Sequence, residues 1–347
     1  MADAQVIRID ERERRQGEEP ERERCRASTA SGRPCRNYAI ENGYCAVHSS
    51  ASSARKDHPS SRSHRDAQPD SQDPIGHVTD LARARMQGRY TVDDLGYDPQ
   101  LSREFLLPLF RLIYERYFRV RTLGLDRVPS EGAALVVPNH SGTVALDSLV
   151  LQAALALEHP NKRPLRNVGA DLVFRLPFVG PTARKIGTVL ACDEDAYELL
   201  RRGELVGVFP EGYKGVGKGW RERYKLQRFG RGGFIEVALR ARVPIIPVAI
   251  VGAEEAYPMI ADVKPLARLL GVPYFPVTPT FPLLGPLGAI PLPSKWVIEF
   301  GDPIPMDSYP EDAADDKMLV FELADEIRDR VQQMIYKNLK LRGDPFF

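Results

Sequence analysis

The sequence predicts an α/β fold, a mostly parallel central sheet flanked by helices, and three observations carry that prediction. Short apolar runs at Ala134–Val137, Leu205–Phe209 and Ile245–Val251 have the continuous hydrophobicity of strands buried on both faces. Breakers close the first two, Pro138-Asn139 and Pro210-Glu211-Gly212. Between the runs lie segments of helical period, such as Leu146, Leu149, Val150, Ala153, Ala154 and Leu157, the alternation that builds parallel sheets.

In chain order, the 347 residues begin with a segment unsuited to a core. Residues 10–26 are a dense mixture of charges and 49–74 hold almost nothing apolar, so residues 1–74 are expected to be a disordered, charged tail and 75–347 the folded domain. Within the tail, at about residues 22–50, Cys25, Cys35, Cys45 and His48 have the donor types of a tetrahedral structural zinc site, which would order a segment too small to fold by packing. The stretch resembles small terminal zinc modules with three cysteines and one histidine. Its bland alternative is three unpaired thiols. Acidic residues balance most of the tail's arginines, so no nucleic-acid partner is expected.

Residues 101–121 mix Phe105, Leu106, Leu109, Phe110, Ile113, Tyr114, Tyr117 and Phe118 with five arginines, an amphipathic helix with Pro108 expected in its first turn. It either lies in a membrane interface or packs across the sheet. After the first apolar strand and its helix, strands are predicted at Arg166–Ala170 and Gly187–Ala191. A helix follows at Asp193–Arg202, with acidic residues in its first turn and Gly203 as its stop. Tyr213–Lys225 is a glycine-loosened basic loop, residues 231–240 a helix, and 271–293 an apolar but proline-broken segment. A late strand at Trp296–Phe300 and a long helix over 312–339, with a stripe of Leu319, Leu323, Ile327, Val331, Ile335 and Leu339, close the chain.

Chemistry concentrates where strands end. His140 follows the first strand and Asp147 falls in the first turns of the next helix, at the sheet edge where open α/β folds bind ligands. A histidine titrates near neutrality, and a carboxylate on one ring nitrogen holds a single tautomer and raises basicity at the other, so the pair reads as a general base and its orienter. A loop histidine beside a helix-capping aspartate is the competing, purely structural reading.

Four blocks in order then resemble the lysophospholipid/glycerolipid acyltransferase superfamily: Asn139-His140 with Asp147, Ala170–Gly180 continuing to Gly187–Leu190, Phe209-Pro-Glu-Gly212, and Val243–Ala249. The resemblance covers about residues 121–304. It implies transfer of a fatty acyl group from acyl-CoA or acyl carrier protein to a hydroxyl of a lysophospholipid or other glycerolipid, with His140 and Asp147 as the catalytic pair and no cofactor for catalysis. Glu211 and Gly212 would position the acceptor. Lys214, Lys218 and Arg184 are candidates for phosphate, and the backbone amides of Ser141 and Gly142, at the start of a helix, for the oxyanion.

Two departures from the family's pattern bear on the acceptor. Six residues separate His140 from Asp147 where four are usual, and the second block ends Leu190-Ala-Cys-Asp193 without the usual arginine, which opens the alternative of a neutral acceptor such as diacylglycerol. Rival readings are a hydrolase using Ser141, although no Gly-x-Ser-x-Gly elbow exists, and a non-enzymatic scaffold working through the tail. No apolar run of spanning length and no leader occurs, so a peripheral position on the cytoplasmic side of the cell membrane is expected.

Overall fold

The computed structural model describes residue 79, residues 83–88 and residues 90–347 except 231, all within the unit Pro69–Phe347. Four consecutive helical segments, Pro99–Leu101, Ser102–Leu106, Leu107–Leu112 and Ile113–Tyr117, together form α1. Then come β1 (Arg121–Leu123), β2 (Ala134–Pro138), α2 (Leu146–Glu158), β3 (Leu165–Gly169), α3 (Asp171–Arg175), α4 (Val179–Lys185), β4 (Val189–Leu190), α5 (Asp193–Arg201) and β5 (Leu205–Gly207). After α6 (Tyr213–Val216), α7 (Gly233–Ala241), β6 (Ile245–Val251) and α8 (Ala253–Ala256), the small pair β7 (Ala261–Asp262) and β8 (Pro276–Val277) flanks α9 (Lys264–Leu270). β9 (Val297–Phe300) and α10 (Lys317–Arg342) finish the chain.

Seven strands form one sheet in the order β1-β9-β6-β2-β5-β3-β4. All neighbours are parallel except β6 and β9, which pair antiparallel through Val248↔Phe300 to Val251↔Val297. The runs read as doubly buried are the central strands β2, β5 and β6, each buried along its length. Their residues alternate between two cores. Leu135, Val137, Ile245, Ala249 and Val251 meet α5, α7 and α10 on one face, while Ala134, Val136, Ile246, Val248 and Ile250 meet α1 and α2 on the other. The stripe predicted on the last helix is confirmed: Leu323, Ile327, Val331 and Ile335 are buried, with Leu319 and Leu339 packed beside them.

Pro108 requires a correction. The helix starts at Pro99, where the Asp98 carboxylate accepts from Leu101 N and caps it, so Pro108 lies well inside α1 rather than in its first turn. The preceding turn, Ser102–Leu106, is wound as π-helix, the wider winding by which a helix absorbs an interrupted hydrogen-bond ladder. Tyr114 and Phe118 face the core while Phe105, Leu109, Leu112 and Ile113 are exposed, so α1 is packed across the sheet and still presents an apolar outer side.

Candidate active site

Because β6, β2 and β5 are adjacent and parallel, their carboxyl ends open side by side. Asn139, immediately after β2, is 1% exposed and continues the strand with its side chain: Nδ2 donates to Ile250 O at 3.0 Å and Oδ1 accepts from Ile250 N at 2.7 Å. Sequence reasoning took Asn139 as a strand stop and as the residue opening the His140 block; it is also the anchor that fixes where the chain leaves the sheet, and hence where His140 begins.

His140 Nδ1 lies 2.9 Å from Asp147 Oδ2, and the His140 ring leans on Phe209 with centroids 4.5 Å apart. Asp147 is fully buried in the first turn of α2, where a carboxylate is favoured by the helix dipole. Its Oδ2 also accepts from Ser141 N at 2.8 Å, and its Oδ1 accepts from Ser148 N at 2.9 Å. Three donors thus hold one carboxylate in a single orientation.

The wider His-to-Asp spacing is taken up by a tight excursion at Gly142-Thr143-Val144. Gly142 has φ +89°, and a Cβ there would fall 2.6 Å from Ala253 O. Thr143, buried and β-branched, is held at φ +61°, which for such a residue is a strained backbone. Three segments pin it: its N–H donates to Val216 O, its Oγ1 to Tyr257 O at 2.8 Å, and its carbonyl accepts from the Tyr274 hydroxyl. Burial and the nearby Asp147 charge raise the Tyr274 pKa, keeping that hydroxyl a donor.

Glu211 follows β5 and turns inward. Its Oε1 accepts from His140 N at 2.8 Å and its Oε2 from Gln227 N at 2.7 Å, so the carboxylate carries the backbone of His140 rather than standing open to an acceptor. Gly212 is exposed with φ +53°, starting the short helix α6. Gly215 packs directly on the histidine: a Cβ there would meet His140 O at 2.6 Å and Glu211 Cβ at 2.7 Å.

Three expectations change. Lys218 is not a surface cation poised for phosphate; its side chain is 2% exposed, with Nζ 3.4 Å from Glu211 Oε2 and 3.3 Å from Glu254 Oε1. The Ser141 amide is occupied by Asp147 and cannot meet an oxyanion, which leaves Gly142 of the two. Glu211 is likewise buried within its own hydrogen bonds. Of the remaining phosphate candidates, Lys214 is exposed on α6. Arg184 sits on α4, between β3 and β4 at the far edge of the sheet, stacked 5.2 Å from the Phe174 ring centre. Cys25, Cys35, Cys45 and His48 lie outside the described residues, among which no cluster of His, Cys, Asp and Glu is arranged to hold a metal ion.

An acyltransferase family model matches residues 119–251, and a domain of unknown function, DUF5763, matches 22–60. An uncharacterized protein of Mycobacterium tuberculosis is 51% identical over 273 residues, 79% of this chain and 76% of that protein. One from Mycobacterium leprae is equally similar, with 74% of it covered. The human "DGAT1/2-independent enzyme synthesizing storage lipids" is 27% identical over 221 residues, 64% of this chain and 62% of that protein. A crystal structure of the 1-acyl-sn-glycerophosphate (LPA) acyltransferase PlsC from Thermotoga maritima superposes with a TM-score of 0.46 at 19% identity, covering 71% of this chain and 85% of that one.

Proposed function

This chain belongs to one family with its mycobacterial relatives and carries an acyltransferase domain, and on that premise we propose that it moves a fatty acyl group from a thioester, acyl-CoA or acyl carrier protein, to a hydroxyl of a glycerolipid, with His140 as general base. The observation that carries this is the His140–Asp147 pair, 2.9 Å apart, at the shared exit of β2, β5 and β6. With Nδ1 turned to the carboxylate, Nε2 is the nitrogen that takes the acceptor's proton. The acceptor oxygen attacks the thioester carbonyl, and the tetrahedral oxyanion is met by the Gly142 amide. Collapse expels the thiolate, which recovers the proton from Nε2. No acyl-enzyme forms.

Ser141 does not serve as a nucleophile in this scheme. Its Oγ is buried without a hydrogen-bond partner, so no group is placed to take its proton. A neutral acceptor hydroxyl, as in diacylglycerol, is favoured over a phosphorylated one, because Lys218 is neutralised by two buried carboxylates. The human relative's name, which refers to storage lipids, points the same way. Between α1 and α2 runs a groove of about 1030 Å³, lined by Leu106, Phe110, Leu149, Ala153, Ala156 and Leu157. It lies along the helix that carries Asp147, and its apolar walls suit an acyl chain.

No helix among the described residues is long and apolar enough to cross a membrane. The lipid is reached instead, in this proposal, through a peripheral face made by Leu109 and Leu112 of α1 with Leu283, Leu284, Leu287 and Ile290, all more than half exposed. The Tyr117 hydroxyl donates to Pro291 O, tying the two stretches together at their ends. Incubating the full chain with labelled acyl-CoA and a panel of lysolipids and diacylglycerol tests the proposal. Acylation of diacylglycerol above all others is the expected result, and free fatty acid as the only product would replace transfer by hydrolysis.

A further inference from the structure

A buried lysine in this fold has no role in the chemistry just described. Removing an ammonium from water is costly unless carboxylates and hydrogen bonds replace the hydration. Lys218 has both: Glu211 Oε2 at 3.4 Å, Glu254 Oε1 at 3.3 Å and the Lys225 carbonyl at 3.3 Å. Its partners come from different strands. Glu211 follows β5 and Glu254 follows β6, whereas His140 follows β2, which lies between them in the sheet. The lysine therefore bridges the exits of β5 and β6 across the exit of the strand that delivers the base.

Each carboxylate is tied onward to backbone. Glu211 accepts from His140 N and Gln227 N, and Glu254 from Tyr224 N at 3.2 Å. We infer that Lys218 is a positioning residue for acyl transfer: by holding Glu211 and Glu254 together it fixes the carboxylate on which the His140 backbone hangs, and so sets where the imidazole stands. Gly215 against His140 and Asp147 on the ring complete the frame, but neither supports the backbone N–H that Glu211 holds. With its N–H no longer held, the His140 peptide can tilt between its anchored neighbours, and a displacement of about 1 Å at a reacting group is enough to lose about two decades of rate.

This inference rests on His140 being the base, and its test separates the two claims. Lys218→Met alone would leave two buried carboxylates facing each other, so the comparison is made in a Glu254→Gln background, where the amide oxygen still accepts from Tyr224 N. The full-length Lys218→Met/Glu254→Gln chain, checked for cooperative thermal unfolding, is compared with Glu254→Gln for kcat, for the acceptor KM and for hydrogen exchange at the His140 amide. We expect kcat to fall about 10- to 100-fold with acceptor KM within about twofold, together with faster exchange at His140. An unchanged kcat, or a lower kcat with unchanged exchange, overturns the positioning role. A rise in KM confined to phosphorylated acceptors overturns it in favour of direct phosphate contact. Should the wild-type chain acylate no acceptor, the general-base reading fails, and unchanged His140 exchange would still refute the hold of Lys218 on His140.

Discussion

Replacing Asp147 by asparagine changes one atom and leaves volume and burial nearly intact, so its consequences follow from the hydrogen bonds and the lost charge. Asp147 Oδ2 accepts from His140 Nδ1 and Ser141 N, and Oδ1 accepts from Ser148 N. An asparagine has a single acceptor oxygen. If its NH2 replaces Oδ1, it faces the Ser148 N–H donor to donor. If it replaces Oδ2, it faces the Ser141 N–H and forces His140 Nδ1 to accept, moving the ring proton to Nε2, where a base needs its lone pair. Either orientation leaves a buried N–H unmet, at about 1–3 kcal/mol of stability. The second orientation also removes the base, and the first keeps only the neutral partner. A loss of about 100-fold in turnover, about 2.7 kcal/mol of barrier, is expected. The assay pairs acyl transfer rates with urea unfolding of the same preparation. Full turnover with unchanged stability would refute the claim that this carboxylate orients His140.

Other perturbations read separate parts of the site and fold. Gly215→Ala drives a methyl group into His140 and Glu211, and should lower stability by about 1–3 kcal/mol and turnover with it, measured by denaturant unfolding and steady-state kinetics. Ala156→Phe should narrow the groove between α1 and α2 and shift donor preference toward shorter acyl chains, read by competition between acyl-CoA of different lengths. Burial pushes the Glu254 pKa up, with Lys218 opposing. The folded state therefore holds that proton above the ordinary glutamate range, stability falls as pH rises through that window, and Glu254→Gln should flatten the fall in melting temperature. Leu283→Asp with Leu287→Asp should leave folding unchanged and abolish co-sedimentation with anionic vesicles, since both side chains are exposed. Arg342→Met, which strands the buried Glu255 at the end of α10, should cost about 3–5 kcal/mol in unfolding experiments.

The parts of this molecule that were legible in its sequence are those fixed by local pattern. Apolar runs at 134–137 and 245–251, short and bounded by breakers or β-branched residues, read as central strands and are, and the edge strand β4, two residues long, was overestimated because Gly187 and Ala191 belong to turns around it. His140 and Asp147 were legible because strand end and helix start are both local signals, and their meeting needs only the turn between them. Lys218 was misread for the opposite reason. Its glycine-rich neighbourhood looks solvated, and the partner that draws it inward, Glu254, lies on a different strand's exit. The same holds for Ser141, whose amide looks like a free helix-start donor until Asp147 turns back to take it. Phe110, read with the membrane-facing residues, packs partly against the core beside Tyr114, so Leu109 is the better probe of the outer side.

The central claim, that acyl transfer here is base catalysis by His140 without a covalent intermediate, is met most directly by single-turnover transfer from labelled acyl-CoA in wild type and His140→Ala, with both proteins analysed by intact mass during the reaction. Wild type should form acylated lipid with no mass added to the protein, and His140→Ala, with an unchanged melting temperature, should be slower by about two to four decades. A folded His140→Ala chain that transfers at the wild-type rate, or an acyl adduct that builds up and decays as product appears, would contradict it.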